Sequence, residues 1–366
     1  MRSDRWPGFA AWLRAGLLLA LLAGRVAAQD APPVAIRPWQ VFLQRDLDDL
    51  GTDRLTFLNP FTDEETAVEV NGERYTPAGD GVLFFDPAAN RVMVAAPDAT
   101  VTEHPFIQPG NDTRRVDWLV SPDHSLLAWT LTGGDTGLTT ITTVANLNGT
   151  NPRQVLVDGP REGIRALPVA FSADQSRLYM DFQPDGIADY TPYPQFAGLF
   201  ALDLDSGQWE RLPGEPGCFC GAGFYNDLLL RLAVSPDLSG FDLRLVNLDG
   251  GVTQTIPGLR LRNYTQAGDV LIAPDGTRAV YALAQVRDFG RPSQAIQTVF
   301  VLVDLQTLTQ TALTEPIITF VEPLAWTEDH SAVLLTSRQR DGTWKISLGD
   351  GLLVKIAEAT YLGTVG

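Results

Sequence analysis

The chain has 366 residues, 45% hydrophobic and 19% charged, with 33 Gly, 25 Pro and a mean hydropathy near zero. This is globular composition with apolar material for a large core, and it excludes a collagen-like, coiled-coil, disordered or all-membrane chain. Forty-four acids against 27 bases give a net charge of −17, which argues against a nucleic-acid partner, because phosphate contact needs a basic surface that releases counterions.

Residues 1–28 read as a secretory signal peptide. Arg2, Arg5 and Arg14 stand at the front, an apolar run follows at 15–24, and Val26, Ala27 and Ala28 supply small residues before a cut expected after Ala28. A run of about ten residues is too short to span a bilayer as a helix. No other stretch reaches spanning length, so the mature chain is expected outside the cytoplasm, secreted or periplasmic, with no membrane span after signal cleavage. Residues 29–39 are an N-terminal linker and residues 40–366 a single domain. Asn111, Asn148 and Asn263 each open an Asn-x-Thr glycan acceptor.

Two hairpin phrases then recur. The first is an apolar strand, a tight polar turn and a second strand, at residues 118–129 (WLVSPDHSLLAW), 169–179 (VAFSADQSRLY), 270–281 (VLIAPDGTRAVY) and 324–334 (LAWTEDHSAVL). Proline presets φ at the first corner of such a turn, and Asp, Ser or Gly close it locally. The second phrase is a strand, an Asp/Asn/Gly turn and a strand, at residues 144–156, 201–212, 243–256, 302–313 and 346–356, with less regular copies at 55–70 and 92–106. The seven copies recur at an average spacing of about 48 residues, with no helical period between them.

Four short strands per unit of that length are the signature of a propeller blade. The pairing of these two hairpins resembles the TolB-like and WD-type β-propeller repeats of exported bacterial proteins. The Gly-His and Trp-Asp signatures of WD repeats are missing, which favours the TolB-like side. The expected fold is therefore all-β, a seven-bladed propeller, with six blades as the alternative if the first two units merge. Blades are assigned to residues 40–70, 73–107, 115–157, 165–213, 218–259, 264–314 and 318–356. Residues 359–365 remain as one strand, predicted to close the ring as the innermost strand of the first blade, since an open ring would leave sheet edges bare.

In such a ring the loops between second and third strands, and those between blades, gather at one mouth of the channel. The ligand-binding candidates there are Asp185, Asp189, Tyr190, Tyr193, Arg287, Asp288, Arg291, Arg338 and Arg340. Tyr190 and Tyr193 lie between prolines in the longest loop and could stack on a sugar or grip a peptide, or could fold back onto a neighbouring blade. The turn acids Asp123, Asp174, Asp275 and Asp329 fall on the opposite face and are assigned structural roles. Asp46, Asp48, Asp49 and Asp53 faintly resemble a calcium loop but lack its glutamate, and a solvated acidic loop is preferred. Cys218 and Cys220 point the same way on a strand and are read as a local disulfide or two packed thiols. No metal set or cofactor is expected, and no nucleophile elbow, His-Glu-x-x-His or phosphate loop is present.

The function expected is a secreted, monomeric, non-enzymatic recognition or scaffold module with a protein, peptide or glycan at the channel mouth. The alternative is a carbohydrate-active hydrolase or lyase using acids at the mouth, because a catalytic carboxylate pair needs only the right separation in space.

Overall fold

The computed structural model describes residues 38–45, 52–186, 193–251, 253–288, 291, 293–318, 320–337 and 339–366. The expected signal peptide, and the linker up to residue 37, lie outside them. Strands β1 (Trp39–Gln44), β2 (Asp53–Leu58) and β3 (Glu65–Val70) belong to blade 1. Blade 2 holds β4 (Glu73–Ala78), β5 (Gly81–Asp86), β6 (Arg91–Ala95) and β7 (Val101–Glu103). Blade 3 holds β8 (Thr113–Val120), β9 (Leu126–Gly133), β10 (Gly137–Asn146) and β11 (Arg153–Glu162), and blade 4 holds β12 (Ile164–Phe171), β13 (Arg177–Pro184), β14 (Leu199–Asp203) and β15 (Trp209–Arg211). Blade 5 is β16 (Ala222–Tyr225), β17 (Leu228–Val234), β18 (Phe241–Asn247) and β19 (Thr253–Ile256). Blades 6 and 7 are β20 (Gln266–Ile272), β21 (Arg278–Arg287), β22 (Ala295–Asp304), β23 (Thr309–Ala312), then β24 (Glu322–Trp326), β25 (Ala332–Thr336), β26 (Thr343–Ser347), β27 (Leu353–Ala357). The last strand, β28 (Thr360–Val365), returns to blade 1.

Each blade is a four-stranded antiparallel meander, and the seven form a propeller. The closure predicted from the two chain ends is present: β28 pairs antiparallel with β1, with Trp39 opposite Val365 and Leu43 opposite Thr360. The six-bladed alternative is thereby corrected to seven.

Alternation explains how one strand serves two neighbours. On β21, Ala279, Tyr281 and Leu283 pack toward blade 5, while Val280, Ala282 and Ala284 pack toward blade 7. Successive side chains of a strand point to opposite faces, so a blade covered on both sides must be apolar on both. Among the described residues, six buried apolar clusters occupy the junctions from blades 1–2 through 6–7. Where blade 7 meets blade 1 the structure is stitched by polar contacts. The Thr343 hydroxyl donates to the Ala359 carbonyl at 2.8 Å and accepts from the Tyr361 amide at 2.8 Å, and the Arg45 guanidinium donates to the Ser337 carbonyl at 3.1 Å.

The recurrent turns are built as their composition predicts. Asp123 accepts from the hydroxyls of Ser121 and Ser125 and from the Ser125 amide, and Asp174, Asp237 and Asp329 repeat the pattern. In blade 5 the Ser-Pro-Asp turn, residues 235–240, joins the second and third strands, so this copy lies on the mouth face while its sisters lie opposite.

Candidate functional site

The first strands of blades 2, 3 and 4 each begin at the mouth with arginine. Arg74 is the second residue of β4, Arg114 and Arg115 the second and third of β8, and Arg165 the second of β12. Because β8 packs against β12, and Arg74 on β4 reaches the Val116 carbonyl on β8, these side chains converge on one cleft of about 560 Å³, lined also by Glu73 and Asp117. Arg115 and Asp117 stand two apart on β8 and therefore share a face.

Two sparingly exposed aspartates hold the arginines together. Asp117, with a side chain 19% exposed, lies 3.5 Å from the Arg74 guanidinium and is bonded to Arg165. Asp185, 11% exposed, meets Arg114 at 3.1 Å, Arg115 at 2.8 Å and Arg165 at 3.5 Å. Arg165 is itself only 5% exposed, so its charge is desolvated and depends on these partners. Arg74 stands over two aromatic faces, 4.9 Å from the Trp118 ring and 5.5 Å from that of Phe85, and donates to the Val116 carbonyl. Among the described residues the lining of the cleft gathers four guanidiniums with the carboxylates of Glu73 and Asp117, and Asp185 pairs with three of those guanidiniums, in a molecule whose overall charge is −17. A locally basic concavity in an acidic molecule concentrates the field on its own opening.

Residues 193–198, the end of the loop between β13 and β14, lie over blades 5 to 7. Phe196 bridges to Cys220, the Gln195 side chain donates to Gln266 at 3.4 Å, and Tyr193 reaches Phe320, with ring centroids 5.4 Å apart. Tyr193 is 1% exposed and its hydroxyl is 3.3 Å from that of Thr298. Of the two alternatives for Tyr193, a stacking surface or a ring folded onto another blade, the ring takes the second and closes the junction of blades 6 and 7 as core. Gly268 makes room for it, since a Cβ there would stand 2.3 Å from that of Tyr193.

Under this segment lies a second polar network. Arg231 on β17 donates to the carbonyls of Phe196 and Cys218 at 2.9 Å each, to those of Cys220 and Gly221, and to the Glu215 carboxylate at 2.8 Å. The Glu215 side chain is 1% exposed and also accepts from the Gly217 amide at 2.9 Å. Asp181 is fully buried, and burial pushes its carboxyl up to about 6 even though the amides of Ala197 and Gly198 donate to it. Cys218 and Cys220 are joined in a disulfide within this network.

The remaining sequence candidates are scattered. Arg287, Asp288 and Arg291 stand at the exposed tip of the β21–β22 hairpin, where Asp288 accepts from the Ser293 hydroxyl at 3.1 Å. Arg340 stacks 4.9 Å over the Trp344 ring. Asp53 opens β2 and accepts from the Tyr75 hydroxyl at 2.6 Å, so it serves the junction of blades 1 and 2. Asp46, Asp48, Asp49, Asp189, Tyr190 and Arg338 lie outside the described residues. Of the candidates among the described residues, Asp185 alone pairs with the arginines of the cleft. Arg74, Arg114, Arg115 and Arg165 escape a search confined to loops, because they sit on strands. Their signal is nonetheless present in the sequence, as arginines at the same place in three consecutive repeats.

No family model and no curated protein matches the chain. Among solved structures, a prolyl endopeptidase superposes with a TM-score of 0.60 at 13% identity, over 98% of this chain and 56% of that one. An oligogalacturonate lyase in complex with manganese superposes with a TM-score of 0.53 at 14% identity, over 88% of this chain and 85% of that one. TolB from Acinetobacter baumannii is also similar, at 12% identity over 89% of this chain and 81% of that one, with a TM-score of 0.46. At such identities the likeness is one of fold alone.

Proposed function

We propose that the protein is an extracytoplasmic recognition propeller that takes an anionic peptide or glycan into the arginine cleft between blades 2, 3 and 4. The observation that carries this reading is the convergence of Arg74, Arg114, Arg115 and Arg165 in one concavity of a strongly acidic molecule. Arginine presents planar pairs of donors that match the two oxygens of a carboxylate or phosphate, and packing over the Trp118 ring restricts the Arg74 side chain. The disulfide supports a place outside the cytoplasm, where such bonds persist, and among the described residues no helix is long and apolar enough to cross a membrane.

Recognition is preferred to catalysis because the carboxylate raised most, Asp181, is buried with its neighbour Glu215, and both are engaged by backbone amides. A general acid must touch the substrate. The test is a thermal-shift screen of acidic and neutral glycans and peptides, including an oligogalacturonate, the compound that appears in the name of one structural neighbour. Acidic ligands are expected to raise the melting temperature of the wild type and to lose that effect with Arg115→Gln. A neutral ligand that stabilises both forms equally would refute the assignment, and a ligand recovered in cleaved form would replace recognition with catalysis.

A further inference from the structure

Blade 5 carries a second concavity on the mouth face, independent of the arginine cleft. The turn at residues 235–240 and the chain at 257–265, which leads on to blade 6, enclose a groove of about 570 Å³. Phe241, Leu261 and Tyr264 give it an apolar lining, and they pack on the core between blades 5 and 6. The connecting chain is clamped to β18, since Asp242 accepts from the Gly258 amide at 3.0 Å and from Arg260 at 2.7 Å. The groove is therefore shaped before anything enters it. Val234 and Leu238 also line it, and both are exposed, Leu238 to 80%. An exposed leucine is ordinary on a protein surface, but the backbone under this one is not. Leu238 has a φ of +58°, in the left-handed region that a branched apolar residue disfavours. Four sister turns close with the same hydrogen bond, from the amide at this position to the carbonyl three residues back, and they place His124, Gln175, Gly276 and His330 there. Of the five turns, the one with leucine is also the one that faces the mouth.

We infer that this groove docks an extended segment of a partner protein, which seats an apolar side chain against Leu238, Phe241 and Tyr264 and sets an acidic side chain beside Arg262. The apolar half follows from the lining: an exposed aliphatic rim over a half-buried aromatic floor gains by losing water to another apolar side chain, and gains little from the hydroxyls of a sugar. The acidic half follows from charge complementarity. The charged residues that line the groove are Arg260 and Arg262, and Arg262 is exposed, so a carboxylate arriving with the apolar anchor meets a guanidinium. A chain of net charge −17 is repelled by an anionic bilayer, which disfavours a lipid surface as the occupant.

The probe is a set of fluorescein-labelled heptapeptides in which a central Leu, Phe or Trp is flanked by Asp or Glu, with counterparts carrying Ala at the centre or Asn and Gln at the flanks. Anisotropy titrations with the intact protein should show saturable binding of acidic peptides, weakened at least about tenfold by the central Ala and by Leu238→Asn. Asparagine suits left-handed backbone, so Leu238→Asn should melt no lower than the wild type, and its lost binding is then not lost folding. Leu352→Asn, at an exposed leucine on the opposite face, should leave binding unchanged. Arg262→Gln should remove the preference for acidic over amide flanks. No saturable binding by any peptide, or equal binding by wild type and Leu238→Asn, would overturn the groove as a docking site. Equal affinity for acidic and amide flanks would overturn the charge of the partner. Binding lost in Arg115→Gln but kept in Leu238→Asn would assign the peptides to the arginine cleft and overturn the groove while leaving the proposed recognition standing. Self-association in sedimentation that Leu238→Asn abolishes would overturn the partner protein in favour of a second copy of this chain.

Discussion

Removing residues 359–366 takes β28 from the ring and leaves β1 as a bare edge. The cost can be worked from what β28 covers. Val41 and Leu43 on β1 are 0% and 1% exposed, and Val365, at 2%, joins them in one cluster. Burying a Val or Leu fully is worth about 1.5–3 kcal/mol, so half uncovering two of them and losing the third costs about 3–6 kcal/mol. The five paired positions of the β1–β28 ladder, and the seam from Thr343 to Ala359 and Tyr361, add about 3.5 kcal/mol even at the lower end, about 0.5 kcal/mol, of the net worth of a hydrogen bond. A loss of about 6–9 kcal/mol is comparable to the whole stability of many domains. At roughly 2 °C per kcal/mol, a chain of this size should melt about 12–18 °C lower by calorimetry, or fail to accumulate folded. Adding the excised segment back as a peptide should recover part of the loss. A truncated protein melting within about 2 °C of the intact one would refute the reasoning, because β28 would then not be holding the ring.

Three further outcomes follow from particular residues. Tyr193→Ala should cost about 3–5 kcal/mol in denaturant unfolding, as an aromatic removed from core does, while leaving the affinity of the arginine cleft unchanged. Arg231→Met should cost about 3–5 kcal/mol, since Glu215 would be left as an uncompensated buried charge, and the double variant with Glu215→Gln should recover part of that loss. The turns and Asp181 should respond to acid with opposite sign. The Ser176 amide holds Asp174 down to about 2, and the hydroxyls of Ser235 and Ser331 do the same for Asp237 and Asp329, against an ordinary value of 3.8. Their contribution is full above about pH 4 and lost as pH falls through 2, so the urea midpoint should drop over that window. Asp181, pushed up to about 6 by burial, contributes most below about pH 4 and loses that contribution as pH rises through 6. Asp181→Asn should therefore gain on the wild type in urea midpoint from pH 4 to 6, and a constant difference would contradict the assigned shift.

The blades were readable from sequence because each hairpin carries its own turn chemistry. A Ser-Pro-Asp turn is a local object whose hydrogen bonds close within five residues, as those of Ser121, Asp123 and Ser125 do. Blade 5 shows the limit of that reading: its Ser-Pro-Asp turn sits one hairpin later than in its sisters, and the blade is recognised through its Asp249 turn instead. The closing strand was readable by arithmetic, as one strand left over opposite a blade that lacked one. The site was not, because the residues that meet there, Arg74, Arg115 and Arg165, are separated by about one blade each. Their proximity is a product of ring closure and strand register, which no local window contains. Tyr193 shows the same limit in reverse, since an aromatic residue in a polar loop is core here only because Gly268, 75 positions away, lacks a side chain.

The most direct test of the arginine cleft is a titration of the wild type with the most stabilising acidic ligand of the screen, followed through the Nε–H resonances of arginine by NMR. The account predicts saturable shifts, with one common affinity, at Arg74, Arg114, Arg115 and Arg165, and none at the exposed Arg287, Arg291 and Arg340. Shifts of similar size across both groups, rising without saturation, would show a nonspecific atmosphere of counterions and contradict it.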